Sequence, residues 1–216
     1  MRPFLLSLAL TVVFASVAHA QDDRRPIGKF AFDLRGFYSG LGQDPITAAN
    51  LGVDPATLPT RALGGVAGLQ IYLLRKSNIA FGVGAEGVLA RGHALQKPAK
   101  DADPADPIPL PLTQRFRGFS PQITLNFGHR QGWSYLSAGM GPLAFSTYQG
   151  PIAPVDPPPV KNTINMGAGA RWFNTEHLAF SFDMRFYLTR PIEQTITYPG
   201  RQRARILVLS AGISIK

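Results

Sequence analysis

The chain contains no cysteine, so disulfide staples and thiolate metal sites are excluded. Charged residues make up only 16%, and no segment keeps a sustained 3.6-residue apolar period, which argues against a helical bundle. Beyond the N-terminus there is no long apolar run: Asp, Arg, Gln or Gly interrupts every hydrophobic region. A bilayer core of roughly 30 Å needs about 20 apolar residues, so no downstream segment can cross as a helix. What the chain holds in quantity is 22 Gly and 19 Pro in 216 residues, a composition that suits a β protein with many turns.

The first twenty residues place Arg2 ahead of an apolar stretch, Phe4 to Val17, and close on Ala18-His19-Ala20. That order is expected of a secretory signal peptide over residues 1–20. A short N-terminal segment, 21–28, and one domain, 29–216, would follow. Removing the signal leaves 196 residues, 21 basic and 13 acidic, a formal charge of +8. Such an excess suits nucleic acid or an anionic membrane surface. Secretion argues against nucleic acid.

From Lys29 onward, strand-like stretches alternate with connections that are by turns long and short. The long ones run about Gly42 to Leu63, Gln96 to Thr113, Gly150 to Lys161 and Pro191 to Gln202. The short ones are Arg75 to Asn78, Gly128 to Gly132 and Asn174 to His177. Four long and three short connections imply eight strands with every long loop at one end, the asymmetry of outer-membrane barrels.

The strands show a period of two. In the seventh, Leu178, Phe180, Phe182, Met184, Phe186 and Leu188 share one face, while Ser181, Asp183, Arg185 and Tyr187 share the other. Strands three, four, six and eight repeat the pattern, and strands one and two follow it less strongly. The fifth, Trp133 to Phe145, is ambiguous in phase because Gly139 and Gly141 remove the contrast. Tyr38, Trp133, Tyr135, Phe145, Tyr148, Trp172, Phe173 and Tyr187 fall near strand ends, where interfacial aromatic girdles are expected. Pro121 falls inside the fourth strand, which suggests a bulge or a misplaced boundary.

The run Gly118 to Gly128, GFSPQITLNFG, followed by Trp133 to Gly139, WSYLSAG, resembles the barrel domains of the small OmpA/OmpX-type outer-membrane family. The resemblance covers Lys29 to Lys216 and rests on topology and alternation. It implies an all-β fold: a single eight-stranded antiparallel up-and-down transmembrane β-barrel, with short periplasmic turns and long extracellular loops. It also implies passage through the periplasm to the bacterial outer membrane, insertion by the outer-membrane assembly machinery, contact with outer-membrane lipid and lipopolysaccharide, and no cofactor. The chain departs from the family in ending Ile213-Ser214-Ile215-Lys216, without the terminal aromatic that the machinery reads, and in lacking the second domain of the two-domain members.

An eight-stranded barrel encloses only enough room for its own side chains, so passive diffusion of nutrients is not expected. The face opposite the apolar one carries Asp33, Arg35, Gln70, Glu86, Gln122, Asn126, Asn165, Arg171, Asp183 and Arg185. Acids and bases nearly balance there, as in a plug of hydrogen bonds and ion pairs. A narrow gated ion path has the same composition.

Extending the lipid-facing parity to the long-loop ends gives Arg91, Arg115 and Arg117 on strands three and four, and Arg190, Arg201, Arg203 and Arg205 around strands seven and eight. A charge costs roughly 2 to 4 kcal/mol at the lipid midplane but close to 0 to 1 near the interface. Guanidinium forks bind phosphate bidentately. Two patches contacting lipopolysaccharide are therefore expected, with snorkelling arginines as the alternative.

Some barrels of this topology deacylate lipid A or cleave peptides, which needs a base and a nucleophile in reach. The mature chain has three histidines: His129 and His177 sit in short turns, and His93 lacks the His-x-Ser pattern of the deacylases. A non-enzymatic role is expected. The acidic stretch Asp101 to Pro107 lacks the turn glycine of a calcium loop, so no metal site is expected. Two further readings stay open. The Pro-rich stretch Gly150 to Val160 could present a stiff surface to a host or loop-bound partner, as in an adhesin. With inside and outside exchanged, the same alternation would describe a soluble periplasmic carrier of lipocalin type.

Overall fold

The computed structural model describes residues 27–96, 109–129, 131–150 and 152–216. Eight strands close into one antiparallel barrel in sequence order. They are β1 (Phe30–Gly40), β2 (Arg61–Lys76), β3 (Ile79–Ala94), β4 (Leu112–His129), β5 (Gly132–Gln149), β6 (Val160–Phe173), β7 (Leu178–Leu188) and β8 (Arg205–Ile215). β1 pairs with β8 from Phe32–Ile215 to Gly40–Leu207, so no sheet edge is left open through the wall. The expected signal segment and the acidic stretch Asp101 to Pro107 lie outside the described residues.

The wall is apolar outside. Phe180, Phe182, Phe119, Ile123, Leu136, Met166 and Ile213 are all exposed on the outward parity, as are their counterparts on every other strand. Soluble proteins rarely expose contiguous apolar patches beyond a few hundred Å². A belt around a closed barrel is a lipid-facing surface, and the chain is a membrane-spanning β-barrel. A soluble carrier would need the reverse arrangement.

Pro121 causes no bulge. The β4–β5 register is the same on both sides of it, Gly118–Leu143 and Gln122–Gly139; only the ladder between them is interrupted, and Pro121 stays paired with Ala85 of β3. The one register shift of the neighbouring β2–β3 pair is at Tyr72/Leu74. β2 and β3 join through Ser77 and Asn78, with Ser77 left-handed at φ 51°.

The first long connection is more ordered than its composition implied. It carries a helix, α1 (Pro45–Leu51), and a 3-10 turn, Pro55–Thr57. Asp44 and Pro45 start α1, and Gly52 stops it in the left-handed conformation, φ 66°, its N–H bonding to Ala48 and Ala49 carbonyls. Ala48 and Leu58 pack on Leu112 at the top of β4. The Thr47 hydroxyl donates to the Gly200 carbonyl (2.9 Å), and the Gln202 N–H to Asp44 Oδ2 (3.1 Å). The first and fourth long loops thus lock together across the outer mouth.

Candidate functional site

The lumen is filled in three layers. In the middle, all ten expected polar residues are buried and face inward. Asp33 accepts Arg171 in a two-pronged pair, Nε to Oδ1 at 2.8 Å and Nη2 to Oδ2 at 2.6 Å. Arg35 reaches Glu86 at 2.8 Å. Arg185 lies 3.3 Å from Glu86 and 3.1 Å from Asp183, and donates to Asn165 (2.8 Å), Gln122 (2.9 Å) and Ser137 (2.8 Å). Tyr135 donates to Asp183 (2.9 Å) and Tyr187 to Glu86 (3.0 Å). Asn126 accepts from Tyr72 (3.1 Å), whereas Gln70 Oε1 has no partner. Three guanidinium groups face three carboxylates, so the layer is neutral. The void beside Glu86, Asn165 and Tyr187 is about 10 Å³, at the lower limit for one water. The arrangement is a plug.

Above and below it the interior turns apolar, which the sequence reading missed. Toward the loops, Phe37, Val66, Val88, Phe116, Leu143, Phe145 and Ile206 form one cluster, with Phe116 and Phe145 stacked at 6.2 Å. At the turn end, Ile27, Ala31, Tyr72, Ala80 and Trp133 form another. The expected aromatic girdle is therefore corrected: Trp133, Tyr135, Phe145 and Tyr187 point into the lumen, and Tyr148 is buried, while Tyr38 and Trp172 stay exposed on the lipid side.

The rim arginines divide. Arg91, Arg115 and Arg117 are brought together: Arg91 and Arg115 are register partners across β3–β4, and Arg117 follows on the same face. All three line a cavity of about 540 Å³ with Leu63, Leu89, Ser146, the segment Pro154 to Pro158, and Tyr198. The Pro-rich third loop therefore folds back along the outer face of the wall, covering Ala144 and Ser146. The fourth loop fastens it. The Tyr198 hydroxyl donates to the Asp156 carbonyl (2.7 Å), and the Thr197 hydroxyl to the Asp156 carboxylate. Burial first, then Asp156 beside it, push the Tyr198 hydroxyl above its ordinary value, while Arg117 and Arg115 pull it back. Among the described residues, no side chain forms an ion pair or hydrogen bond with the three arginines.

The second expected patch loses one member, Arg201. Arg201 precedes β8, bridges to Ile192 and turns inward, 5% exposed, with its guanidinium 3.8 Å from the centre of the Phe145 ring. Its Nε and Nη1 have no hydrogen-bond partner, and burial pushes its pKa down to about 10. Arg201 is thus a loop-packing residue because the strand parity stops before it. Arg190, Arg203 and Arg205 stay exposed where β7 leads into β8, Arg205 being the register partner of Leu188 and Thr189 bonding to Ala204. His93 is exposed, its Nδ1 3.3 Å from the Thr113 hydroxyl. The members that sequence reading missed are Ser146 and Tyr198. A fold-back of two loops onto β4 and β5 leaves no local signal.

Neither a protein-family model nor a curated protein sequence matches the chain. Among solved structures, it is similar to Neisserial surface protein A, with a TM-score of 0.48, 11% identity, and 88% of this chain covering 97% of that one. It is similar also to the outer-membrane protein OprG of Pseudomonas aeruginosa (0.47, 10%, 90% and 98%). The attachment invasion locus protein Ail of Yersinia pestis is a third (0.44, 10%, 86% and 95%). These likenesses are ones of fold.

Proposed function

We propose that this sealed outer-membrane barrel is non-enzymatic and acts at its outer rim, where Arg91, Arg115 and Arg117 hold phosphate groups of lipopolysaccharide. The observation that carries the reading is their convergence on one cavity above the apolar belt. Arg91 and Arg115 face each other directly across the ladder, a repulsive arrangement that an anion between them relieves. A guanidinium–phosphate pair is charge-assisted and bidentate, and at a water-poor interface it is screened less than on an open surface. The plugged lumen supports a role for the outer surface rather than for conduction.

Replacing Arg91, Arg115 and Arg117 together by Gln tests the reading. Retention of labelled lipopolysaccharide by the purified barrel is expected to fall about tenfold or more, since a hydrogen bond to a charged group contributes about 1.5–3 kcal/mol. Unchanged retention would contradict it. A second reading, partner binding through the loops, is supported by the order of the mouth: α1 is tied to the fourth loop through Thr47 and Gly200, and the fourth to the third through Tyr198 and Asp156.

A further inference from the structure

The lipid-facing wall directly below the arginine cavity is not smooth. Gly65 and Ala67 of β2, Gly87 of β3 and Ala144 of β5 place small residues side by side, flanked by Leu34, Phe119 and Val160, and leave a trough of about 690 Å³. The trough and the arginine cavity share Leu89, Arg117 and Ala144, so the two are continuous. Elsewhere on the belt, outward small residues such as Ala138, Ala168 and Ala211 stand directly against Met166, Leu136 and Phe182. The floor need not be glycine for the barrel's sake: a Cβ at Gly65 or Gly87 would meet nothing closer than 3.8 or 3.9 Å, and both positions have ordinary strand backbone. Inward glycines such as Gly64 and Gly84 differ, since a Cβ there would meet a carbonyl oxygen at 2.1 Å.

We infer that β2 to β5 form a site for one molecule of lipid A, with a phosphate among Arg91, Arg115 and Arg117 and one acyl chain lying in the trough beneath. Deepening the rim reading, this inference rests on it. The order of the two compartments matches the occupant. The cationic part lies at the loop end, level with outer-leaflet headgroups, and the apolar part continues toward the midplane, where acyl chains run. The third loop, fastened by Asp156 to Tyr198, walls the headgroup compartment. Wall and floor together make the site concave, as small-molecule sites are, whereas a merely basic rim would hold lipid phosphates without selecting a chain.

Gly87→Phe fills the trough from its floor, at the level of Phe119, and leaves all three arginines in the chain. The heat-dependent shift in gel mobility verifies that the variant is folded, and Gly65→Leu enters the same trough from the neighbouring strand should Gly87→Phe not assemble. The probes are hexa-acylated lipid A, its deacylated bis-phosphorylated disaccharide, and phosphatidylglycerol, each offered to the full barrel in detergent and counted by native mass spectrometry. One lipid A per wild-type barrel is expected. Filling the trough should lower lipid A retention about tenfold, as loss of roughly two buried methylenes would, and leave the disaccharide unaffected. Lipid A held as well by the filled barrel as by the wild type overturns the acyl site while leaving the arginine reading intact. Equal retention of phosphatidylglycerol overturns the assignment to lipid A. Loss of neither probe in the arginine-to-Gln variant overturns the rim reading itself.

Discussion

The middle and the loop-side third of this barrel are built from the same strands with opposite polarity. In the middle, Asp183 and Arg185 point inward while Phe182, Met184 and Phe186 point out. Toward the loops, Phe116 points inward while Arg115 and Arg117 point out. The alternation never stops; its assignment reverses where lipid gives way to headgroups and water. In hydrocarbon, polar side chains are driven into the lumen, where they must satisfy one another. Past the interface, the outer face can carry charge, and the lumen becomes a largely apolar core closed by loops, with Gln114 and the Arg201 guanidinium buried among its rings.

The largest effect should come from the middle layer. Asp33→Ala strands the Arg171 guanidinium, 1% exposed, and is expected to cost about 3–5 kcal/mol in urea unfolding from detergent. Asp33→Leu with Arg171→Met should recover most of that loss, because removing both charges removes the penalty. In the loop-side third the equivalent lesion is a cavity. Phe116→Ala should cost about 3 kcal/mol, at the lower end for buried aromatics because the fourth loop can settle onto the gap. On the outer wall, Phe182→Arg should destabilise by about 2–4 kcal/mol, whereas Asn162→Arg, at the exposed loop end of β6, should cost close to 0–1. Equal costs at the two heights would break the comparison.

The smallest effect should be at Arg201. Because burial holds its pKa down to about 10, keeping it charged at neutral pH opposes folding. The folded protein releases that proton at a lower pH than the unfolded chain, so stability should rise as pH passes above 10. Arg201→Met is expected to lie within about 1 kcal/mol of the parent at pH 7 and to lose that rise. Thermal unfolding of both proteins between pH 8 and 11 checks it.

Strand number, alternation and the inward polar set were legible in the sequence because each depends only on residues two apart. The inward aromatics were not. Where both parities carry bulky or ring-bearing residues, as at Phe37-Tyr38 or Trp133 to Tyr135, the period of two loses its contrast, and aromatics near strand ends read as a lipid girdle. Arg201 was misplaced because strand parity was carried past the end of the strand, into a loop whose path is set by Ile192 and Phe145. Half of the rim cluster could be read from Arg91, Arg115 and Arg117 sharing a face. The rest, Tyr198 and the fold-back of Pro154 to Pro158, depends on loop-to-loop contacts more than forty residues apart.

The absence of native cysteine makes a direct test available. Nitroxide labels on Cys at Phe182, Arg115 and Phe116, in barrels reconstituted in bilayers, report access to lipid-soluble oxygen and to an aqueous nickel complex. Oxygen should relax the Phe182 site, nickel the Arg115 site, and neither the Phe116 site. A Phe116 label as open to oxygen as Phe182, with Arg115 shielded from nickel, would contradict the reversal of polarity at the rim and with it the arginine site.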